Sequence, residues 1–226
     1  MVYNRLKISQ IGNGPNSLNC APMLTASQCY NVFERAIADY HRVDHVDTPL
    51  RNPFPDGSLE NILYAKTWID TVQWHLEDLI RKPDIDPAEG MAIKRRIDRS
   101  NQDRTDTVER IDDYFSREFH DVVPNPSARI NSETPAWLLD RMSILMLKIY
   151  HMDEQAHRQD AGEQHRRQCA AKLAVLLEQK EDMRLAFDQL VDDISSGTRR
   201  FKIYRQMKMY NDATMNPALY GQKSQK

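Results

Sequence analysis

Apolar residues recur three and four apart along most of the chain, in blocks separated by proline, glycine and asparagine, and no stretch alternates with the period of two that marks a strand. Residues 1–24, with Gly12, Gly14, Pro15 and Pro22, read as an irregular leader. A first helix is expected from Thr25 to His41, with Cys29, Val32, Phe33, Ala36, Ile37 and Tyr40 on one face; Pro49, Pro53, Pro55 and Gly57 mark the loop after it. Ser58 is a natural N-cap for a second helix, whose Ile62, Ala65, Ile69, Val72, Leu76 and Leu79 form a coiled-coil-like seam ending at Pro83. Asp86 followed by Pro87 opens a third helix that reaches Phe119, with Ile93, Ile97, Arg104, Val108, Ile111 and Phe115 in its stripe. After Pro124, Pro126 and the Asn131–Pro135 break, a fourth helix carries Leu138, Met142, Leu145, Ile149 and Met152. A fifth, Glu163 to Ile194, turns Ala170, Leu173, Leu177, Phe187, Leu190, Val191 and Ile194 inward and stops at Ser195-Ser196-Gly197. The pattern predicts an all-α antiparallel bundle of four long helices with flanking short helices. The bundle occupies residues 25–196, and residues 197–226 form a basic amphipathic helix with an extended tail docked on it.

Charge sharpens the last point. Between Gly197 and Lys226 seven Lys and Arg face one acid, Asp212, so this segment carries +6 and the remainder −8 within a net charge of −2. The expected sixth helix puts Phe201, Tyr204 and Met207 against the acidic body and its basic residues outside. The same basic residues could follow a phosphate backbone, but the negative total argues against nucleic acid as the partner. Seven glycines in 226 residues argue against a β-sandwich and against glycine-rich phosphate loops. Cys20, Cys29 and Cys169 are odd in number and lack paired spacing, which fits a reducing, cytoplasmic setting. There is no apolar run near the roughly 20 residues of a bilayer span and no secretory h-region at the start.

Candidate chemistry lies where the seams are polar. Asn101 and Arg104 fall at core positions of the third helix, with Asp98, Thr105 and Asp112 beside them. The second helix has a matching stripe of Asn61, Tyr64, Trp68, Thr71, His75 and Asp78. If the two helices pack antiparallel, these stripes meet, and buried polar groups there must pair with one another or line a cavity. A ligand site is therefore expected from Tyr64, Trp68, His75, Asp98, Asn101 and Arg104, and the competing reading is a structural network that sets helix register. Glu109 and Asp112 with Glu77 and Asp78 resemble the carboxylate sets that hold magnesium in helical nucleotide pyrophosphohydrolases, although the first E-x-x-E half is missing. Two weaker signals are Glu154-Gln155-Ala156-His157, an E-x-x-H without a second copy, and His41 with His45, flanked by Asp44 and Asp47, which could hold zinc. No nucleophile elbow, P-loop or dinucleotide fingerprint is present.

The strings LYAKTWIDTVQWHLEDLIR and KRRIDRSNQDRTDTVERIDDYF within Leu63–Phe115 resemble an uncharacterised bacterial helical family, domain of unknown function 4254. Residues Asn131–Met152 and Lys208–Tyr220 are similar to it as well. The resemblance implies a helical, soluble bacterial protein and carries no activity, cofactor or catalytic residues. Two functions follow from the residues themselves. The first is a cytoplasmic binding or accessory protein without catalysis, its partner a protein or a small phosphate ligand. The alternative is a magnesium-dependent hydrolase of a nucleotide or related phosphate at the polar seam.

Overall fold

The computed structural model describes residues 23–205, 212 and 214–220. These are mostly helical: α1 Ala26–Tyr40, α2 Leu59–Leu79, α3 Pro87–Glu118, α4 Pro135–His157, α5 Glu163–Ser195 and a single turn, α6, Pro217–Tyr220. Each of the first four long helices starts where a side chain can accept from an orphan amide. Thr25 and Gln28 form a reciprocal capping box on α1, Ser58 accepts from Asn61 on α2, and Asp86 accepts from Ala88 and Glu89 on α3. Thr134 caps α4, and proline fills the first position of both α3 and α4, where no amide donor is needed.

The contacts set the helix directions. Gln73 meets Ser100 and Asn101 while Leu76 clusters with Ile93 and Ile97, so α2 and α3 run in opposite senses. Arg104 meets Asp140, and α5 runs against α1, with Asp188 beside Ala26 and Lys180 beside Tyr30. Lys66 reaches Asp140, and Trp74 reaches His151, so α2 and α4 share a direction. Asp39 meets Tyr64 and Tyr40 packs on Trp68 and His75, which places α1 alongside them in the same sense. That parallel pair departs from strict antiparallel packing. The 41–58 connection is long enough to allow it: at about 3.3 Å per extended residue it can span a helix of about 22 Å. The C-terminal ends of α1, α2 and α4 therefore gather at one end of the bundle.

The main core joins Phe33, Leu63, Val108, Phe115, Leu139 and Phe187 from all five long helices. Because α2 touches α1, α3 and α4, it is buried on several sides, and its expected seam is only part of the buried surface. Ile62 and Leu76 are buried, whereas Ala65, Ile69, Val72 and Leu79 are half-buried and Leu63, Lys66 and Thr67 are sealed. On α5, Phe187, Leu190 and Ile194 face inward as expected, but Ala170 and Leu177 are exposed. The polar contacts of α5 with α1 begin at Lys180, so the first half of α5 has chiefly α4 to cover it.

Residues 199–205, the described start of the expected sixth helix, are not helical, and residues 206–211 lie outside the described residues. Ser196 caps α5, and Gly197 takes φ +71°. The amides of Gly197 and Thr198 donate back to Ile194 and Asp193, a Schellman closure. Next, the amides of Asn125, Arg129 and Asn131 donate to the carbonyls of Gly197, Thr198 and Arg200, drawing Arg199–Arg200 into a short parallel pairing with Arg129–Ile130. Backbone acceptors used in this way cannot serve a helix. Phe201 packs against the main core, but Tyr204 is 74% exposed, and Met207 lies outside the described residues. Arg205 pairs with Glu109 and Asp113 of α3. The leader, residues 1–22, also lies outside the described residues, and Pro217–Tyr220 forms a turn of helix where an extended tail was expected.

Gly197→Ala tests this junction. A Cβ there would stand 3.0 Å from the carbonyl oxygen of Val123, on a backbone that L residues rarely adopt. The substitution is expected to cost about 1–2 kcal/mol, lowering the melting temperature by about 2–4 °C per kcal/mol in a chain of this size. An unchanged melting temperature would show that the turn does not need glycine.

Candidate functional site

At mid-height of the bundle, α2, α3 and α4 meet around charged groups. Lys66 and Asp70 lie one turn apart on α2, Asp140 and Ser143 one turn apart on α4, and Arg104 comes from α3. Lys66 is fully buried; its Nζ stands 2.6 Å from Asp70 Oδ2 and 2.8 Å from Asp140 Oδ1, and donates also to the Asp140 carbonyl and to Ser143 Oγ. Arg104 donates to both Asp140 carboxylate oxygens at 2.9 Å, a fork-to-fork pair, and lies 3.8 Å from Asp70. Two cations and two carboxylates thus balance. Burial pushes the Asp140 carboxyl up, but Lys66 and Arg104 more than offset it, and its pKa falls below the usual carboxylate range. In Asp70 burial prevails over the help of Lys66, and the nearby Asp140 charge adds to it, so its pKa is raised.

A cleft of about 310 Å³ opens against this network, lined by Asp70, Gln73, Trp74, Glu77, Asp78, Arg81 and Arg104, with Ile144 and Leu147 as its apolar wall. Arg104 presents its edge there, its side chain 29% exposed. Arg81 is tied to Glu77 at the mouth, whereas the exposed carboxylate of Asp78, whose backbone carbonyl accepts from Arg81, has no cation paired to it among the described residues. Lys66 and Ser143 do not line the cleft, so their contact is sealed behind Asp70 and Arg104.

One end of the bundle holds a second constellation. His41 caps α1, His75 stands one turn before the end of α2, and His151 lies on the last turns of α4. One ring nitrogen from each lies within 4.8 Å of the others. The His41 Nδ1–H donates to the Ile37 carbonyl at 2.7 Å, and the His151 Nδ1–H donates to Glu154 Oε2 at 2.9 Å. Both hydrogen bonds leave Nε2 without a proton in the neutral ring. His75 Nε2 lies 3.2 Å from His41 Nε2, and His151 Nε2 is buried without a partner among the described residues. An orphaned nitrogen of this kind costs about 1–3 kcal/mol. Tyr150, Tyr40 and Trp74 stack on His41, His75 and His151 respectively and hold the ring planes. Burial lowers the His75 pKa, Asp44 opposes this, and the two neighbouring imidazoles reinforce it.

The residues expected to form one seam are divided among these places. Tyr64 and Trp68 are buried toward α1, Tyr64 donating to Asp39 and both rings packed together. His75 joins the other two histidines. Asn101 accepts from Gln73, and Asp98 pairs with Lys94 near the surface. Of the six residues of the expected ligand site only Arg104 reaches the cleft, where Asp78 of the α2 stripe also lies. The rotation of α2 explains the division: it turns Ile69, Val72, Gln73 and Leu76 toward α3, with Trp68 of the polar stripe at the edge of that side. The magnesium set is divided too. Glu77 and Asp78 lie level with about residue 97 of α3, so Glu109 stands about 18 Å further along that helix at 1.5 Å per residue. Asp112 is buried against Thr134, its carboxyl raised by burial, and Glu109 pairs with Arg205. His45 is exposed with Asp47 while His41 turns inward, so the expected zinc pair separates; His157 is exposed beside Asp153 and Glu154 serves His151 instead. Lys66, Asp70, Asp140, Ser143 and His151 were not singled out by the sequence. The i,i+4 Lys66–Asp70 pair inside an apolar stretch and the histidines near the ends of α2 and α4 are the signals that carry them.

Lys66→Met is expected to destabilise the fold by about 3–5 kcal/mol at neutral pH, because it leaves two buried carboxylates facing one arginine. Without Lys66 the Asp70 pKa rises further above its unfolded value. A carboxyl raised in this way loses stability as pH climbs through its folded pKa, so the deficit should shrink in acid. Urea titrations at pH 7 and pH 5 test it; equal deficits at both would show that Asp70 is not left charged.

No curated protein and no solved structure matches the chain. The model of a family described as a protein of unknown function, DUF4254, matches residues 60–203, which run from the start of α2 past the end of α5 and carry the whole ionic network together with His75 and His151. The chain belongs to this family, DUF4254.

Proposed function

We propose that the protein is a non-catalytic, cytoplasmic binding protein that takes a small amine-bearing ligand in the cleft between α2, α3 and α4. The unneutralised carboxylate of Asp78 at the mouth carries this reading. Both arginines of the cleft already bind acids, Arg81 with Glu77 and Arg104 with Asp140, so the positions left for a ligand charge are negative. Trp74 offers a ring to a cation, and Ile144 and Leu147 an apolar wall to its hydrocarbon part. At about 310 Å³ the cleft lies at the small end of the range for small-molecule sites. Cys29 and Cys169, free and buried, fit a reducing compartment.

A thermal-shift panel of small primary amines and diamines, with matched carboxylic acids as controls, tests this. Amines at about 100 times Kd should stabilise the chain by about 2.7 kcal/mol, and Asp78→Asn should weaken the response at least tenfold while leaving the unliganded melting temperature within about 2 °C, as expected for an exposed site. Stabilisation by the acids alone, or an amine response untouched by Asp78→Asn, would overturn the proposal.

A further inference from the structure

We propose that His41, His75 and His151, with Asp44 as the fourth ligand, form a binding site for a divalent transition metal of the zinc type, clamping the ends of α1, α2 and α4 together. The first ground is spacing. A tetrahedral zinc with Zn–N bonds of about 2.0–2.1 Å holds its nitrogens about 3.3 Å apart. His41 Nε2 and His75 Nε2 are 3.2 Å apart, and the His151 nitrogen lies within 4.8 Å of them, so a small closing movement of one ring completes the set.

The second ground is orientation. A metal-binding imidazole gives its other N–H to a carbonyl or carboxylate, which fixes the tautomer and aims the lone pair. His41 does this to the Ile37 carbonyl and His151 to Glu154. The buried His151 Nε2 has no partner among the described residues, and a metal is the partner its lone pair fits. His75 supplies the third nitrogen when its proton moves to Nδ1. Asp44 Oδ1 lies 3.5 Å from His75 Nε2 and 4.0 Å from His41 Nε2, and its backbone adopts φ +54°, a conformation that Asp tolerates better than most residues.

The third ground is the surrounding field. His41 caps α1 and His75 is one turn from the end of α2, where the aligned peptide dipoles favour a cation. Three imidazoles and one carboxylate select a borderline ion over magnesium, which prefers oxygen. Asp44 is 56% exposed, and the ion enters past it.

The test uses the full chain, stripped with chelator, loaded with Zn²⁺ or Co²⁺ and desalted. About one zinc should remain per chain, the melting temperature should rise on loading, and cobalt should give the intense visible bands of four-coordinate rather than octahedral geometry. Glu154→Gln, a surface change that loosens the His151 ring and the Tyr150 hydroxyl whose ring stacks on His41, should weaken affinity about 10–100-fold. His151→Ala should weaken it by more, and His45→Ala should change nothing. Zinc retention no greater than that of His151→Ala, or retention insensitive to Glu154→Gln and His151→Ala alike, would overturn the site. If His151→Ala does not fold, Glu154→Gln decides alone.

Discussion

A lysine with no exposure to water sets the terms for this bundle. The sealed amine of Lys66 is held between two carboxylates, and those come from different helices, Asp70 on α2 and Asp140 on α4. Asp140 in turn holds Arg104 of α3 in a bidentate pair. A pure leucine seam tolerates sliding and rotation with modest loss, whereas this network is satisfied only when three helices stand at one height and one rotation. Register along α2 therefore determines everything above and below it, including where Trp74 and His75 emerge.

Two consequences follow at the surface. On one side the network ends in a cleft whose inner wall is Asp70 and Arg104. Toward the end of the bundle, the shared direction of α1, α2 and α4 brings their C-terminal turns together and delivers one histidine from each. Trp74 belongs to both places, lining the cleft and stacking on His151. A ligand that presses on Trp74 also bears on the His151 ring, so the two regions are in mechanical contact through one side chain.

Local chemistry along the chain was sufficient for the helices themselves. Thr25, Ser58, Asp86–Pro87, Thr134–Pro135 and Gly197 mark ends that depend on a few neighbouring residues, and the structure places the helix boundaries within a residue or two of them. Family membership was also legible, since long strings of residues carry it. The stretch from Gly197 to Arg200 was not, because its conformation depends on amides of Asn125 and Arg129 more than sixty residues away, whereas amphipathic spacing describes only what a free helix would do.

Spacing and local chemistry were enough for a mostly helical chain, its breaks, and the presence of charged residues at positions that must be buried. They could not say which polar residues meet. The stripe on α2 that looked like one seam faces α1 at Tyr64, the cleft at Asp78 and the histidine cluster at His75, because a helix with neighbours on three sides has no single inward face. Period identifies a face when one side is solvent; when several sides are buried, only packing decides the rotation. Asp140, Ser143 and His151 lie 70 or more residues from their partners on α2, and nothing in spacing along a chain encodes a distance of that kind. Tertiary structure settled it, through the energetic need of a buried charge to find its opposite.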